Sequence, residues 1–290
     1  MKNTPQFQRV KPRPDLNKIA GYKLRLYGRI ATSFMRALPD FLIIGAAKAG
    51  TTSLYNYLIQ HPEVAAPYRK EVRFFDRRFS KGINWYRGHF PLNAEMHGSQ
   101  KKKITGESSP YYIYHPLVPE RVHSSLPDVK LICLLRNPID RAVSNYNHRI
   151  RLGIEDQSIQ DAFEAETTSI AGEEQKIIGQ NGYNSYNHYH FSYLSRGYYA
   201  DQLKRWYEHF AKSDLMVIQS EKFYTDPEST FRKVTDHLGI SNDYDIDFKP
   251  FNQGGGNYQN IDPSFRKTLE AHFDSRNAEL YKLLGEEFDW

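Results

Sequence analysis

A single cysteine, Cys133, among 290 residues leaves no partner for an internal disulfide and too few thiols for a cysteine-rich zinc site. No run of 18 apolar residues occurs, so no transmembrane helix is predicted, and no apolar h-region of a secretory signal is present. On those two absences the expected location is the cytoplasm. Glycine (18) and proline (15) are too few for a fibrous chain. What is there is a hydrophobic fraction of 39% with 14% aromatics, enough for a globular protein with a sizeable core.

The net charge of +5 is unevenly placed. Residues 1–39 hold nine Lys/Arg side chains and one acid, Asp15, a net of +8, which leaves the body at −3. An acidic body argues against nucleic acid as a partner, because phosphate tracking needs a basic face on the folded domain. Within this basic arm, Leu24, Tyr27, Ala31, Phe34, Met35 and Leu38 recur at helical spacing with cations between them. Three readings stay open. They are a helix lying across the body, a helix at a membrane surface through residues 23–38, and an organelle transit peptide.

The body begins with Asp40-Phe-Leu-Ile-Ile-Gly45, a short apolar run that predicts a strand buried on both faces. Ala46-Ala-Lys48-Ala-Gly50-Thr51-Thr52-Ser53 follows, then Leu54, Tyr55, Leu58 and Ile59 at helical spacing. Strand, small-residue loop and helix together turn backbone N–H groups and a helix N-terminus toward one point, an arrangement that binds phosphate or sulfate. The pattern nearly matches G-x-x-x-x-G-K-[ST], but Thr51 stands where that motif has lysine, and Lys48 lies three residues earlier. A sulfuryl group carries one negative charge where a terminal phosphoryl carries about two, so a lysine and backbone amides suffice there without the Mg²⁺ that a triphosphate requires. No metal is expected.

A second buried strand reads at Val129–Leu135, closed by Arg136-Asn-Pro138 and a helix with Ile139, Val143 and Tyr146 on one face. Arg136 thus leaves the carboxyl end of a strand, the edge where open parallel sheets bind ligands, and guanidinium suits phosphate. Ser144 lies two turns further on. A turn-fixing salt bridge for Arg136 and an ordinary helix hydroxyl for Ser144 are the plain alternatives. Arg141 reads as a former of surface ion pairs, and Cys133 as a small buried hydrophobe. Glu71 stands among Arg69, Lys70 and Arg73, with Phe74-Phe75 anchoring the segment.

Four segments in order, Gly45–Leu54, His61-Pro-Glu-Val64, Glu71-Val-Arg-Phe-Phe-Asp76 and Lys81-Gly-Ile-Asn-Trp-Tyr86, resemble the sulfotransferases that use 3′-phosphoadenosine 5′-phosphosulfate, in the heparan sulfate glucosaminyl 3-O- and N-sulfotransferase branch. The resemblance runs from about Asp40 to Trp290. It implies that Lys48, Ala49, Gly50, Thr51, Thr52 and Ser53 hold the 5′-phosphosulfate. It also implies that Arg136 and Ser144 hold the 3′-phosphate, that Lys48 stabilises the departing oxygen, and that Glu71 is the base. Histidine is the runner-up base, but His61, His89, His115 and His123 have no such motif around them and read as structural or exposed. Tyr183, Tyr186, Tyr189, Tyr193, Tyr198 and Tyr199, with His188 and His190, line either an acceptor site or a half-buried helix face. No metal-ligand spacing is present.

Two departures bear on the acceptor. Glu107-Ser108-Ser109-Pro110 lacks the lysine of the branch's glutamate-lysine-threonine-proline segment, and Asn252–Tyr258, with Gly254–Gly256, replaces a basic glycine loop and its neighbouring disulfide hairpin. A less charged glycan, lipid or small metabolite is therefore expected in place of a strongly anionic polymer. The fold expected is α/β, with about five parallel strands and helices on both faces, as one domain over 40–290 behind the arm 1–39. The competing functions are a P-loop nucleotide kinase and a non-catalytic anion-binding protein on the same fold.

Overall fold

A computed structural model describes residues 16–97, 102–243, 245–249, 251 and 260–290. Five parallel strands form one sheet in the order β2-β3-β1-β4-β5, with β1 at Phe41–Gly45, β2 at Val64–Ala65, β3 at Ile104–Ser108, β4 at Lys130–Leu135 and β5 at Leu215–Gln219. Parallel strands need crossover connections, so helices cover both faces and the strands read as apolar runs. Phe41, Leu42, Ile43 and Ile44 are fully buried, as are Leu131 through Leu135, Cys133 included. β3 does not read that way: Thr105, Gly106 and Glu107 lie inside it, all buried. Gly106 is required there, since a side chain would run into the Phe41 ring at 2.5 Å.

β1 pairs with β3 on one side and β4 on the other, so the strand order switches direction at the carboxyl end of β1. That edge carries Lys48, Glu107 and Arg136. A second apolar cluster outside the sheet packs Ile139, Val143 and Tyr146 of the helix Pro138–Arg151 against Phe163, Tyr193 and Phe273.

The arm contributes helix α1, Leu16–Ala31. It lies against the body through Leu26, through Tyr22 stacked on Tyr68 at 5.1 Å, and through Arg29, which donates to the carbonyls of Gly88 and Phe90, each at 2.7 Å.

Candidate active site

Helix α2, Thr51–Leu58, starts at Gly50, whose φ of 98° belongs to the left-handed region that glycine enters without steric cost. Lys48 is also left-handed, at φ 77°, a conformation costly for a residue with a side chain and kept only where its surroundings fix it. Here Arg136 donates to the Lys48 carbonyl at 3.3 Å and Ser220 donates to the Ala49 carbonyl at 2.8 Å. Lys48, Ala49 and Gly50 therefore lie in the turn between β1 and α2, and Thr51, Thr52 and Ser53 form the first turn of α2. Burial pushes the Lys48 ammonium down to about 8, helped by the nearby charges of Arg151, Arg136 and Arg149. Such a concentration of positive charge around a half-buried lysine suits an anion.

Arg136 follows β4 directly, half-buried, and its carbonyl accepts the Tyr199 hydroxyl at 2.8 Å. Asn137 caps the next helix by accepting from the N–H groups of Ile139 and Asp140. The Asn137 N–H donates to Glu221, and the other oxygen of Glu221 accepts from the Trp290 indole, both at 2.9 Å. Ser144 lies half-buried two turns into that helix. Arg141 corrects the surface expectation. It is fully buried, because its guanidinium donates to the Tyr193 carbonyl inside the second cluster.

Glu71 joins the loop through Lys70. The Lys70 ammonium donates to the Thr52 hydroxyl at 2.5 Å and stands 4.0 Å from the Glu71 carboxylate, whose side chain is 43% exposed. Just behind, the fully buried Glu107 carboxylate accepts from the Val72 N–H (2.9 Å) and from the hydroxyls of Ser109 (2.7 Å), Tyr112 (2.8 Å) and Tyr86 (3.0 Å). Burial pushes Glu107 up to about 7 against those four donors.

Beyond Glu71, four guanidinium groups surround the Tyr189 ring: Arg73 at 4.2 Å, Arg77 at 4.9 Å, Arg149 at 5.2 Å and Arg196 at 5.8 Å. Arg73 also forks onto Asp76, while Arg149 and Arg196 donate to the Tyr189 carbonyl at 3.1 and 2.8 Å. Arg149 belongs to this group and to the charges acting on Lys48, so the two regions adjoin. The tyrosine stretch thus divides. Tyr193 and Tyr199 are core, Tyr186 is exposed, and Tyr189 is the ring among arginines. His61, His89 and His115 are buried and His123 is exposed. Burial and the charges of Lys48, Arg149 and Arg151 push His148 down to about 4, which leaves its imidazole neutral at pH 7.

Sequence reasoning did not single out Lys70 as a bridge, Glu107 as a buried carboxylate, or Arg149 and His148. The last two had a signal, since they follow Ser144 by about one turn on the same helix. Among the described residues no group of three or more His, Cys, Asp or Glu is arranged to hold a metal ion. The residues Asn252–Tyr258, including Gly254–Gly256, lie outside the described residues.

The family profile of the sulfotransferase domain matches residues 38–250. The chain belongs to the sulfotransferase family. This sulfotransferase is 27% identical over 319 residues to the membrane-associated sulfotransferase kil1 of Dictyostelium discoideum, covering 87% of this chain and 66% of that protein. It is 27% identical over 285 residues to mouse heparan sulfate glucosamine 3-O-sulfotransferase 6, covering 88% of this chain and 74% of that protein. The solved structure of a sulfotransferase from Alicyclobacillus acidocaldarius superposes with a TM-score of 0.65 at 30% identity, over 87% of this chain and 98% of that one. The expected parallel α/β architecture and the family resemblance both hold, with the chain an enzyme of sulfuryl transfer.

Proposed function

We propose that this sulfotransferase moves a sulfuryl group from 3′-phosphoadenosine 5′-phosphosulfate to a hydroxyl or amine of a glycan, lipid or small-metabolite acceptor, without a metal. The observation that carries the reading is Lys70, which touches both Thr52 of the anion loop and, at 4.0 Å, Glu71. A carboxylate that close to the anion loop can take the acceptor's proton where the sulfuryl group is delivered. The acceptor oxygen or nitrogen forms the new bond to sulfur as the bond from sulfur to the bridging phosphate oxygen breaks. The acceptor proton goes to Glu71, and the electron pair left on the bridging oxygen is stabilised by Lys48. Backbone N–H groups of 50–53 with the Thr51 and Thr52 hydroxyls hold the 5′-phosphate, while Arg136 and Ser144 hold the 3′-phosphate. The Ala49 N–H, on the Ala46 carbonyl at 3.1 Å, and the buried Ser53 hydroxyl, on the Phe251 main chain at 3.3 and 3.4 Å, are engaged within the fold. Adenosine 3′,5′-bisphosphate at 100 times its dissociation constant is expected to stabilise the fold by about 2.7 kcal/mol, a rise of several degrees in melting temperature. A shift with Mg·ATP alone would overturn the donor assignment in favour of the kinase.

The arm favours one further reading, contact with an anionic membrane surface. At about 100° per residue, Leu24, Tyr27 and Ala31 share the outward side of α1, with Lys23 and Arg25 on its two flanks. Leu24 is 75% exposed, Tyr27 68% and, just beyond the helix, Phe34 73%. Apolar residues between flanking cations match an interface of acyl chains under anionic headgroups. The Dictyostelium relative, a membrane-associated sulfotransferase, agrees with this reading. Cosedimentation with phosphatidylglycerol vesicles, weakened by salt and by Leu24→Ser with Phe34→Ser, is the expected result. No binding to such vesicles, or self-association through this face in light scattering, would overturn it.

A further inference from the structure

Glu71 is held by its neighbours, not by its own side chain. Three consecutive backbone N–H groups follow it, and all three end on one hydrogen-bonded unit. The Val72 N–H donates to Glu107 at 2.9 Å, the Arg73 N–H to the Ser109 hydroxyl at 3.2 Å, and the Phe74 N–H to the Tyr112 hydroxyl at 2.9 Å. Both hydroxyls spend their protons on Glu107, at 2.7 and 2.8 Å, which turns their lone pairs toward the backbone. On the other side of Glu71, the Lys70 carbonyl accepts the Ser108 N–H at 3.0 Å.

Inside this bracket Arg73 is left-handed, at φ 56°, a state that an arginine keeps only where its surroundings over-determine it. The left-handed turn sends Phe74 and Phe75 inward and leaves Glu71 outward beside Lys70. Among the described residues no cation pairs with Glu107, and four donors compensate its burial. A carboxylate kept fully buried at that cost, with three of its four bonds aimed at the 72–74 segment or at the hydroxyls that hold it and the fourth taken from Tyr86, points to a purpose beyond packing.

We propose that Glu107 is the positioning residue for Glu71: it braces the backbone of Val72, Arg73 and Phe74, directly and through Ser109 and Tyr112, and so sets where the Glu71 carboxylate stands over the anion loop. The proposal deepens the assignment of Glu71 as base and rests on it. Glu107→Gln keeps the shape but replaces one acceptor oxygen by an NH₂ that must face a pair of former donors. The amide oxygen keeps the Val72 N–H and the Ser109 hydroxyl, so the NH₂ faces Tyr86 and Tyr112. The Tyr112 hydroxyl must then accept from it and turn its own proton away, which disturbs the bond it takes from the Phe74 N–H. One part of the bracket is lost without emptying the site.

The full chain is assayed with 3′-phosphoadenosine 5′-phosphosulfate and an acceptor found by screening, while hydrogen exchange of the 72–74 amides is followed in parallel. Glu107→Gln is expected to lower kcat by about 10- to 100-fold, the usual cost of a misplaced reacting group. The dissociation constant for adenosine 3′,5′-bisphosphate stays unchanged, and the 72–74 amides exchange faster. Ser109→Ala and Tyr112→Phe, which each remove one relay hydroxyl, give smaller losses in kcat in the same sense. In a Glu71→Gln background, Glu107→Gln adds no further loss, because both act through one carboxylate. Full kcat with unchanged exchange in Glu107→Gln, or additive losses in the double variant, would overturn the proposal. Full activity of Glu71→Gln alone would instead remove the base assignment, and the exchange rates then decide the brace by themselves.

Discussion

Residues 48–53, proposed to hold the donor, form one stretch whose turn is fixed through the main-chain carbonyls of Lys48 and Ala49. The arginines around Tyr189 come from separate segments, at 73, 77, 149 and 196, and are held by side chains meeting one ring and one carbonyl. A rigid backbone turn of this kind suits the ligand of fixed shape proposed for the first region. The second is a set of long, separately anchored cations, which lets single residues change without dismantling the rest. Arg149 belongs to both and marks where they meet.

Substitutions on the two sides are expected to separate. The largest effect is at Lys48: Lys48→Ala should lower kcat by about 10²- to 10³-fold, as removal of one group on a developing oxyanion does, with the melting temperature barely changed. Unaltered kcat would break the assignment of the leaving-group cation. Next, Arg136→Ala removes a charged hydrogen-bond donor worth about 1.5–3 kcal/mol. Calorimetry should then show adenosine 3′,5′-bisphosphate binding weakened by roughly 10- to 100-fold, since 1.4 kcal/mol is tenfold. Tyr189→Leu belongs to the other side. It should raise the acceptor KM and leave bisphosphate affinity alone, because each cation–π contact contributes only about 0.5–2 kcal/mol.

Acidity sharpens the same contrast. With Lys48 at about 8 in the free enzyme, kcat/KM for the donor should fall as pH rises through that value, since the neutral amine no longer attracts the anion. The sign for stability is the reverse. The unfolded lysine stays charged to its ordinary value near 10.5, so between about 8 and 10.5 the unfolded chain binds more protons and this group's contribution to stability rises with pH. A pH–rate profile for the donor that stays flat through this range would remove Lys48 from that role. The smallest effect is expected at Gly50→Ala, where φ 98° and the Tyr224 hydroxyl, 2.9 Å from where a Cβ would stand, cost about 1–2 kcal/mol in thermal unfolding.

Legibility in the sequence follows the same division. Strand β1, the loop and α2 are contiguous, so their apolar run, small residues and helical spacing could be read directly. β4 and Arg136 were readable for the same reason. β3 was not, because Thr105-Gly106-Glu107 carries no apolar run, and Glu107 is buried only because Tyr86, Ser109 and Tyr112 are folded onto it. Arg141 was read as a surface residue because its acceptor, the Tyr193 carbonyl, lies 52 residues away. The tyrosines of 183–199 were ambiguous in the same way: nothing local separates Tyr193 in the core from Tyr189 among arginines.

Glu221 gives the fold a practical boundary. One of its oxygens accepts from the N–H beside Arg136 and the other from the Trp290 indole, so the last residue of this sequence is wired to the turn that presents the arginine. A reporter, affinity handle or fusion joined at Trp290 tugs on that turn, whereas one placed on the exposed tip at Gly153 or Gly182 has no such connection. Where an experimenter attaches the protein to a surface therefore bears on the turn at Arg136, the residue proposed to hold the 3′-phosphate.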